Sequence, residues 1–215
     1  MIEQLKKDKL IVILRGLARE QIVPTVQALH DGGGRFVEVT FVQNSATCVE
    51  DTAWAIHTIV TTFPDLYVGA GTVMSVAQAE AAHAAGAKYI ISPNTDRAVI
   101  ERTVALGMLS IPGAFSPSEI TNAYNWGATF VKVFPAGDLG PDYIKAIRAP
   151  ISHIPLLAVG GMGLNNMEDF YKVGICGFGI GGSIVKKSMI ESGDFAALTV
   201  LAKQYVDCAA ALGRE

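Results

Sequence analysis

Charged residues are scarce in this chain: only 17% of its 215 residues are Asp, Glu, Lys or Arg, and the net charge is −3. No basic block occurs, so nucleic acid and anionic membrane surfaces are poor partners. Aromatic residues are also few, at 8%. A core must therefore be built from Val, Ile, Leu and Ala, which suit parallel sheets covered by helices. Cys48, Cys176 and Cys208 lie far apart, odd in number and without C-x-x-C spacing. That argues against a disulfide framework and fits a reducing cytoplasm. No run approaches the roughly 20 apolar residues that span a bilayer. The lysines before Leu10–Leu14 superficially resemble a signal peptide, but the apolar run is too short and Arg15-Gly16 stands where small residues should be. A G-x-S-x-G elbow and a Walker-type loop are missing as well.

Apolar residues, by contrast, make up half the chain, enough for a sizeable core in one domain over 1–215. One local pattern recurs: an apolar helix end, a glycine, one or two residues, then a short apolar run. It is found at Gly86 before Tyr89–Ile91, Gly107 before Leu109–Ile111, Gly127 before Phe130–Phe134 and Gly174 before Gly177–Ile180. Gly32 before Phe36–Thr40 is a looser copy. Each glycine reads as the left-handed end of a helix and each run as a buried strand. Further strands are expected at Ile11–Leu14, Tyr67–Ala70 and Leu156–Val159. Helical periodicity covers Glu20–His30, Ala46–Thr62, Val76–Ala85, Arg97–Leu106, Pro117–Asn125, Tyr143–Arg148, Asn165–Lys172 and Phe195–Leu212. Eight alternating strand–helix units predict a single-domain (β/α)8 TIM barrel, short for its class and so tightly looped. The apolar segment Phe195–Leu212 suits either packing or an interface.

A charge inside such a strand is costly. Three are expected there: Arg15, Glu38 and Lys132. Lys132 has phenylalanines as its same-face neighbours, Phe130 and Phe134. Burial there lowers an amine pKa and frees the nucleophilic form that attacks carbonyls. The alternative is a structural ion pair, with Glu38 as its partner. Glu38, in an equally apolar strand, would have a raised pKa and so trade protons. An amine and a carboxyl together point to Schiff-base chemistry next to a carbonyl. Arg15 reads as a fork for a carboxylate or phosphate, or as a latch to a neighbouring loop. Gly160-Gly161 and Gly181-Gly182-Ser183 follow the last two expected strands, where barrels of this kind bind phosphate. Tight turns need glycine too. His30, His57 and His83 fall in expected helices and His153 in a loop, none at a strand's C-terminal end, so no metal site is expected.

With Glu38 and Lys132 in place, the chain resembles the class I 2-keto-3-deoxy-6-phosphogluconate and 4-hydroxy-2-oxoglutarate aldolases, together with the 6-phosphogalactonate enzymes. The resemblance runs from Leu10 to Ser183. It is carried by Ile13-Leu14-Arg15-Gly16, Val37-Glu38-Val39-Thr40, Val68-Gly69-Ala70-Gly71-Thr72-Val73 and Ile91-Ser92-Pro93-Asn94. Ile111-Pro112-Gly113, Val131-Lys132-Val133-Phe134-Pro135-Ala136, Val159-Gly160-Gly161 and Gly181-Gly182-Ser183 complete it in order. It implies a Schiff base on Lys132, with Glu38 as general acid/base. It places Thr72 at the pyruvate carboxylate, Pro93 and Pro112 along the pocket, and Gly160, Gly161, Gly181, Gly182 and Ser183 at the phosphate, although prolines at strand ends need no functional reason. The implied reaction is reversible cleavage of a 2-keto-3-deoxy sugar acid 6-phosphate to pyruvate and glyceraldehyde 3-phosphate, or of 4-hydroxy-2-oxoglutarate to pyruvate and glyoxylate. It needs neither cofactor nor metal, and a homo-oligomer, a trimer, is implied. One departure bears on the substrate: gluconate-type members carry an arginine four residues after the glutamate, where this chain has Val42. Arg15 stands instead where the galactonate-type relatives have theirs. Two rival readings are a phosphosugar isomerase or epimerase using Glu38 as base, and a non-catalytic sensor of a phosphorylated sugar acid.

Overall fold

The computed structural model describes residues 1–213; residues 214 and 215, the end of the single domain expected over 1–215, lie outside the described residues. Its nine parallel strands are β1 (Leu10–Leu14), β2 (Phe36–Thr40), β3 (Tyr67–Gly71), β4 (Tyr89–Ile91), β5 (Leu109–Ile111), β6 (Gly113–Ala114), β7 (Val131–Val133), β8 (Leu156–Val159) and β9 (Ile175–Ile180). They pair in the order β5-β4-β3-β2-β1-β9-β8-β7-β6. The two end strands of that order are separated in the chain by Pro112 alone, so β5 and β6 are one barrel strand. The break falls at a residue with no N–H to give a ladder. The Pro112 carbonyl still accepts from the Lys132 N–H at 2.9 Å. The sheet thus closes as the expected (β/α)8 barrel.

The helices are α1 (Ile2–Asp8), α2 (Arg19–Asp31), α3 (Cys48–Thr62), α4 (Val76–Ala84), α5 (Arg97–Ala105), α6 (Pro117–Asn125), α7 (Ala136–Arg148), α8 (Met167–Lys172), α9 (Lys187–Ser192) and α10 (Phe195–Ala211). Ser75, Asp96 and Ser116 cap α4, α5 and α6 by accepting the N–H three residues on. Gly86, Gly107, Gly127 and Gly174 all have positive φ, as the repeated pattern predicts. In the looser copy the left-handed residue is Gly33 rather than Gly32. α1 and α9 were not foreseen, and α7 begins earlier than expected, with a non-helical Gly140 before Pro141. α10 packs against α2, so closely that a Cβ on Gly32 would stand 2.7 Å from that of Ala202. No helix among the described residues is long and apolar enough to cross a membrane.

Strand side chains alternate between two separate cores. Val37 and Val39 of β2 face outward into the layer between sheet and helices, while Phe36 joins the barrel interior. That interior holds Ile11, Phe36, Tyr89, Ile91, Ile111, Phe130 and Leu157. Leu5 of α1 belongs to the same cluster and is 1% exposed. α1 therefore plugs the barrel, which explains why a short helix precedes the first strand. Replacing Leu5 by Ala should cost about 2–4 kcal/mol of stability in urea denaturation.

Candidate active site

The barrel interior is unevenly filled. On β3 the inward positions are Tyr67, Gly69 and Gly71, and Tyr89 reaches across from β4 over Gly69. A Cβ on Gly69 would fall 2.1 Å from the Tyr89 ring. The Tyr89 hydroxyl donates to the Val37 carbonyl at 2.8 Å, so the phenol satisfies its polar end while filling the β3–β5 half. On the other side β9 presents Gly177 and Gly179 toward Leu157 and Val159. Space is left there for a cavity of about 680 Å³ that opens among the loops after β1, β7, β8 and β9.

Lys132, on β7, stands in register between Gly113 of β6 and Leu157 of β8. Glu38, on β2, stands between Ile13 and Gly69. Both line the cavity, and they are only 6% and 2% exposed. The Glu38 carboxyl lies over Gly71: a Cβ there would sit 1.6 Å from Oε1, so any larger residue would displace the acid. Glu38 Oε2 is buried without a partner. The Lys132 Nζ stands 4.6 Å from the centre of the Phe134 ring. None of the ion pairs among the described residues involves either group. The alternative of a lysine locked in a structural pair with Glu38 is therefore not what the geometry shows.

Burial pushes the Glu38 carboxyl above the usual carboxylate range, with Lys132 and then Arg15 opposing the rise. Burial likewise pushes the Lys132 amine below the usual lysine range; Glu38 opposes this and Arg15 reinforces it. Both shifts favour the neutral forms, which a nucleophilic amine and a proton-donating acid require.

Arg15 corrects one expectation. β1 ends at Leu14, and Arg15 is exposed just beyond it rather than buried within the strand. It nonetheless lines the cavity, at the mouth above Glu38 and Lys132. Gly160, Gly161, Gly181, Gly182 and Ser183 line the same cavity. Gly160 and Gly161 both have positive φ and lie against Gly137 at the start of α7, where a Cβ on Gly137 would meet the Gly161 Cα at 2.8 Å. Their first task is this close backbone approach. The Ser183 hydroxyl donates to the Met162 carbonyl at 3.1 Å, tying the two loops together.

Thr72, Pro93 and Pro112 are not brought to this cavity. They follow or interrupt β3, β4 and β5, on the half that Tyr89, Ile91 and Ile111 fill. Thr72 has φ +55° and its carbonyl accepts from Gln43 Nε2 at 2.6 Å, while Pro112 is buried in the strand break. Sequence reasoning missed Gln21, Lys187 and Glu191, which also line the cavity. Lys187 and Glu191, one turn apart on α9, are 3.4 Å from each other. The signal was the lysine pair Lys186-Lys187 soon after Gly181-Gly182-Ser183.

Comparison with known proteins places this geometry. A family model described as KDPG and KHG aldolase matches residues 1–201. A probable 2-dehydro-3-deoxy-6-phosphogalactonate aldolase of Rhizobium meliloti is 39% identical, over 86% of this chain and 85% of its own. A 2-dehydro-3-deoxy-phosphogluconate aldolase of Treponema pallidum is 35% identical over 95% of both chains. Among solved structures, a KDPG aldolase from Legionella pneumophila, with pyruvate captured as a covalent carbinolamine, superposes with a TM-score of 0.85 at 26% identity, covering 95% of this chain and 98% of its own. With a match that spans nearly the whole chain, and a buried lysine and glutamate facing one cavity, the chain belongs to the KDPG and KHG aldolase family of carbon–carbon lyases.

Proposed function

We propose that Lys132 is the Schiff-base lysine and Glu38 the general acid/base of a reversible aldol cleavage that releases pyruvate. The substrate is a 2-keto-3-deoxy-6-phospho sugar acid, the second product is glyceraldehyde 3-phosphate, and 4-hydroxy-2-oxoglutarate is a lesser substrate. The observation that carries this reading is a buried, unpaired amine and a buried, unpaired carboxyl facing one cavity. The neutral amine adds to the C2 carbonyl. Glu38 protonates the carbinolamine oxygen, and water leaves as the iminium forms. Glu38, now a carboxylate, takes the C4 hydroxyl proton while the C3–C4 bond breaks, and its electron pair enters the iminium as an enamine. Protonation at C3 and hydrolysis return pyruvate and the free lysine.

Arg15, exposed at the mouth, is placed to meet the C1 carboxylate through its planar fork. The Gly160-Gly161 and Gly181-Gly182-Ser183 loops, with Lys187 beside them, offer backbone N–H groups and a cation to the phosphate. With Val42 at the position of the gluconate-type arginine, Arg15 is the cation left to the carboxylate. The homotrimer belongs to the same proposal and is decided by the mass in solution.

Borohydride with pyruvate should fix one pyruvyl group on Lys132, located by peptide mass, and the adduct should vanish in Lys132→Met while the fold remains. A folded protein that stays unlabelled under conditions that label a known lysine aldolase contradicts the mechanism. The raised Glu38 pKa makes a second expectation. Between the unfolded value and the raised folded value the native state holds the extra proton, so stability falls as pH rises through that window. Glu38→Gln lacks this loss. Urea denaturation should therefore find Glu38→Gln gaining on the parent as pH rises from 4.5 to 8, while its aldol cleavage drops about 100-fold or more.

A further inference from the structure

β3 turns Tyr67, Gly69 and Gly71 toward the barrel interior, and the ladder sets Phe36 level with Tyr67 and Glu38 level with Gly69. At the level farthest from the mouth, Phe36 and Tyr67 stack with ring centres 4.6 Å apart and fill that space. At the next level Gly69 offers no side chain, and the Tyr89 ring from β4 lies over it. The Tyr89 hydroxyl reaches on to β2 and donates to the Val37 carbonyl, the group joined to the Glu38 nitrogen. Gly71, nearest the mouth, is bare as well, and there the Glu38 carboxyl lies. The place straight across from the glutamate is thus held by the tyrosine, and the acid leans one step toward the mouth. Tyr89 is 1% exposed and its ring stands 6.2 Å from that of Phe36, so it has little room to yield. Burial first and the Glu38 charge second push the Tyr89 phenol above its ordinary range, which keeps its polar end a neutral donor.

We propose that Tyr89 is the positioning residue of the general acid: its ring, over Gly69, bars Glu38 from the deeper interior and holds the carboxyl at the level of Gly71, in the cavity it shares with Lys132. The inference rests on the Schiff-base reading above. Tyr89 lies outside the cavity lining, touches no reacting atom and moves no proton; it acts through Glu38 alone. A glutamate has several staggered rotamers, and a carboxyl free to choose among them spends only part of its time in the productive one. With the ring gone, the carboxyl gains a second place to lie, over Gly69, one step deeper in the barrel. Glycine at two successive inward positions of β3 then has one explanation: Gly69 makes room for the tyrosine, and Gly71 makes room for the acid that the tyrosine displaces.

The test pairs Tyr89→Leu, which removes the ring, with Tyr89→Phe, which keeps it. The rate read is the exchange of pyruvate methyl protons with deuterated water, which requires the iminium. Tyr89→Leu should lose about 10- to 100-fold, the cost of an acid misplaced by about an ångström, and Tyr89→Phe should recover most of that loss. Tyr89→Leu is then made in Glu38→Gln, whose slower exchange is followed at high protein concentration. There it should change the rate by no more than about twofold, because the group that Tyr89 positions no longer carries the proton. A merely structural tyrosine would cost as much in Glu38→Gln as in the parent, and that result overturns the proposal. So does a folded Tyr89→Leu that exchanges at the parent rate, or a Tyr89→Phe that folds yet loses as much as Tyr89→Leu. If Tyr89→Leu does not fold, Tyr89→Met takes its place with the same criteria. A parent that exchanges and traps pyruvate while these criteria fail removes this inference alone; a parent that does neither overturns the aldolase reading with it.

Discussion

Lys132 and Glu38 share the inside of one closed sheet without closing on each other as an ion pair. Removing either charge from water costs several kcal/mol, and direct pairing is the usual way to recover part of it. Here the amine lies over the Phe134 ring and the carboxyl over Gly71. Each is left in a setting that favours its neutral form. The pair is thus held ready to exchange protons with a third molecule instead of with each other. Much of the surrounding structure follows from that arrangement. Gly71 must lack a side chain, and the strands that carry the two groups must keep their register, because a slip by one residue would turn both outward.

The barrel meets the cost by dividing its interior. One half is packed as a core, with Tyr89 spanning the glycine of the next strand and hydrogen-bonding beyond it to Val37. The cavity lies toward β1, β2, β7, β8 and β9, where Ile13, Glu38, Lys132, Val159 and Gly179 line it. Leu5 of α1 is buried with the interior cluster, so the helix that precedes the first strand takes part in holding it. On β1, β2 and β8 the packed residue and the cavity residue are successive inward positions of one strand: Ile11 and Ile13, Phe36 and Glu38, Leu157 and Val159.

Much of this could be read in the sequence, for identifiable reasons. Strand runs after a helix-ending glycine marked four of the eight units and, more loosely, a fifth, since both signals are local; the other three showed as apolar runs. Glu38 and Lys132 stood out because a charge in an apolar strand contradicts its surroundings. Which half of the barrel opens was not readable. That depends on Tyr89 reaching sideways to Gly69, a contact between neighbouring strands that periodicity does not encode. For the same reason Thr72, Pro93 and Pro112, expected at the pocket, belong to the filled half. Arg15 was placed in the strand because nothing local marks β1 as ending at Leu14. Lys187 went unnoticed because α9 is too short to show a period.

Schiff-base formation at Lys132 requires an amine that loses its proton more readily than an ordinary lysine. Carbon-13 labelling of the lysine ε position, with Lys132→Met to assign the signal, allows its titration to be followed directly by NMR in the ligand-free protein. A midpoint below the ordinary lysine value of about 10.4 is the predicted result. A midpoint at or above that value would mean that Lys132 is held as an ammonium by Glu38, and that the buried pair is structural rather than chemical.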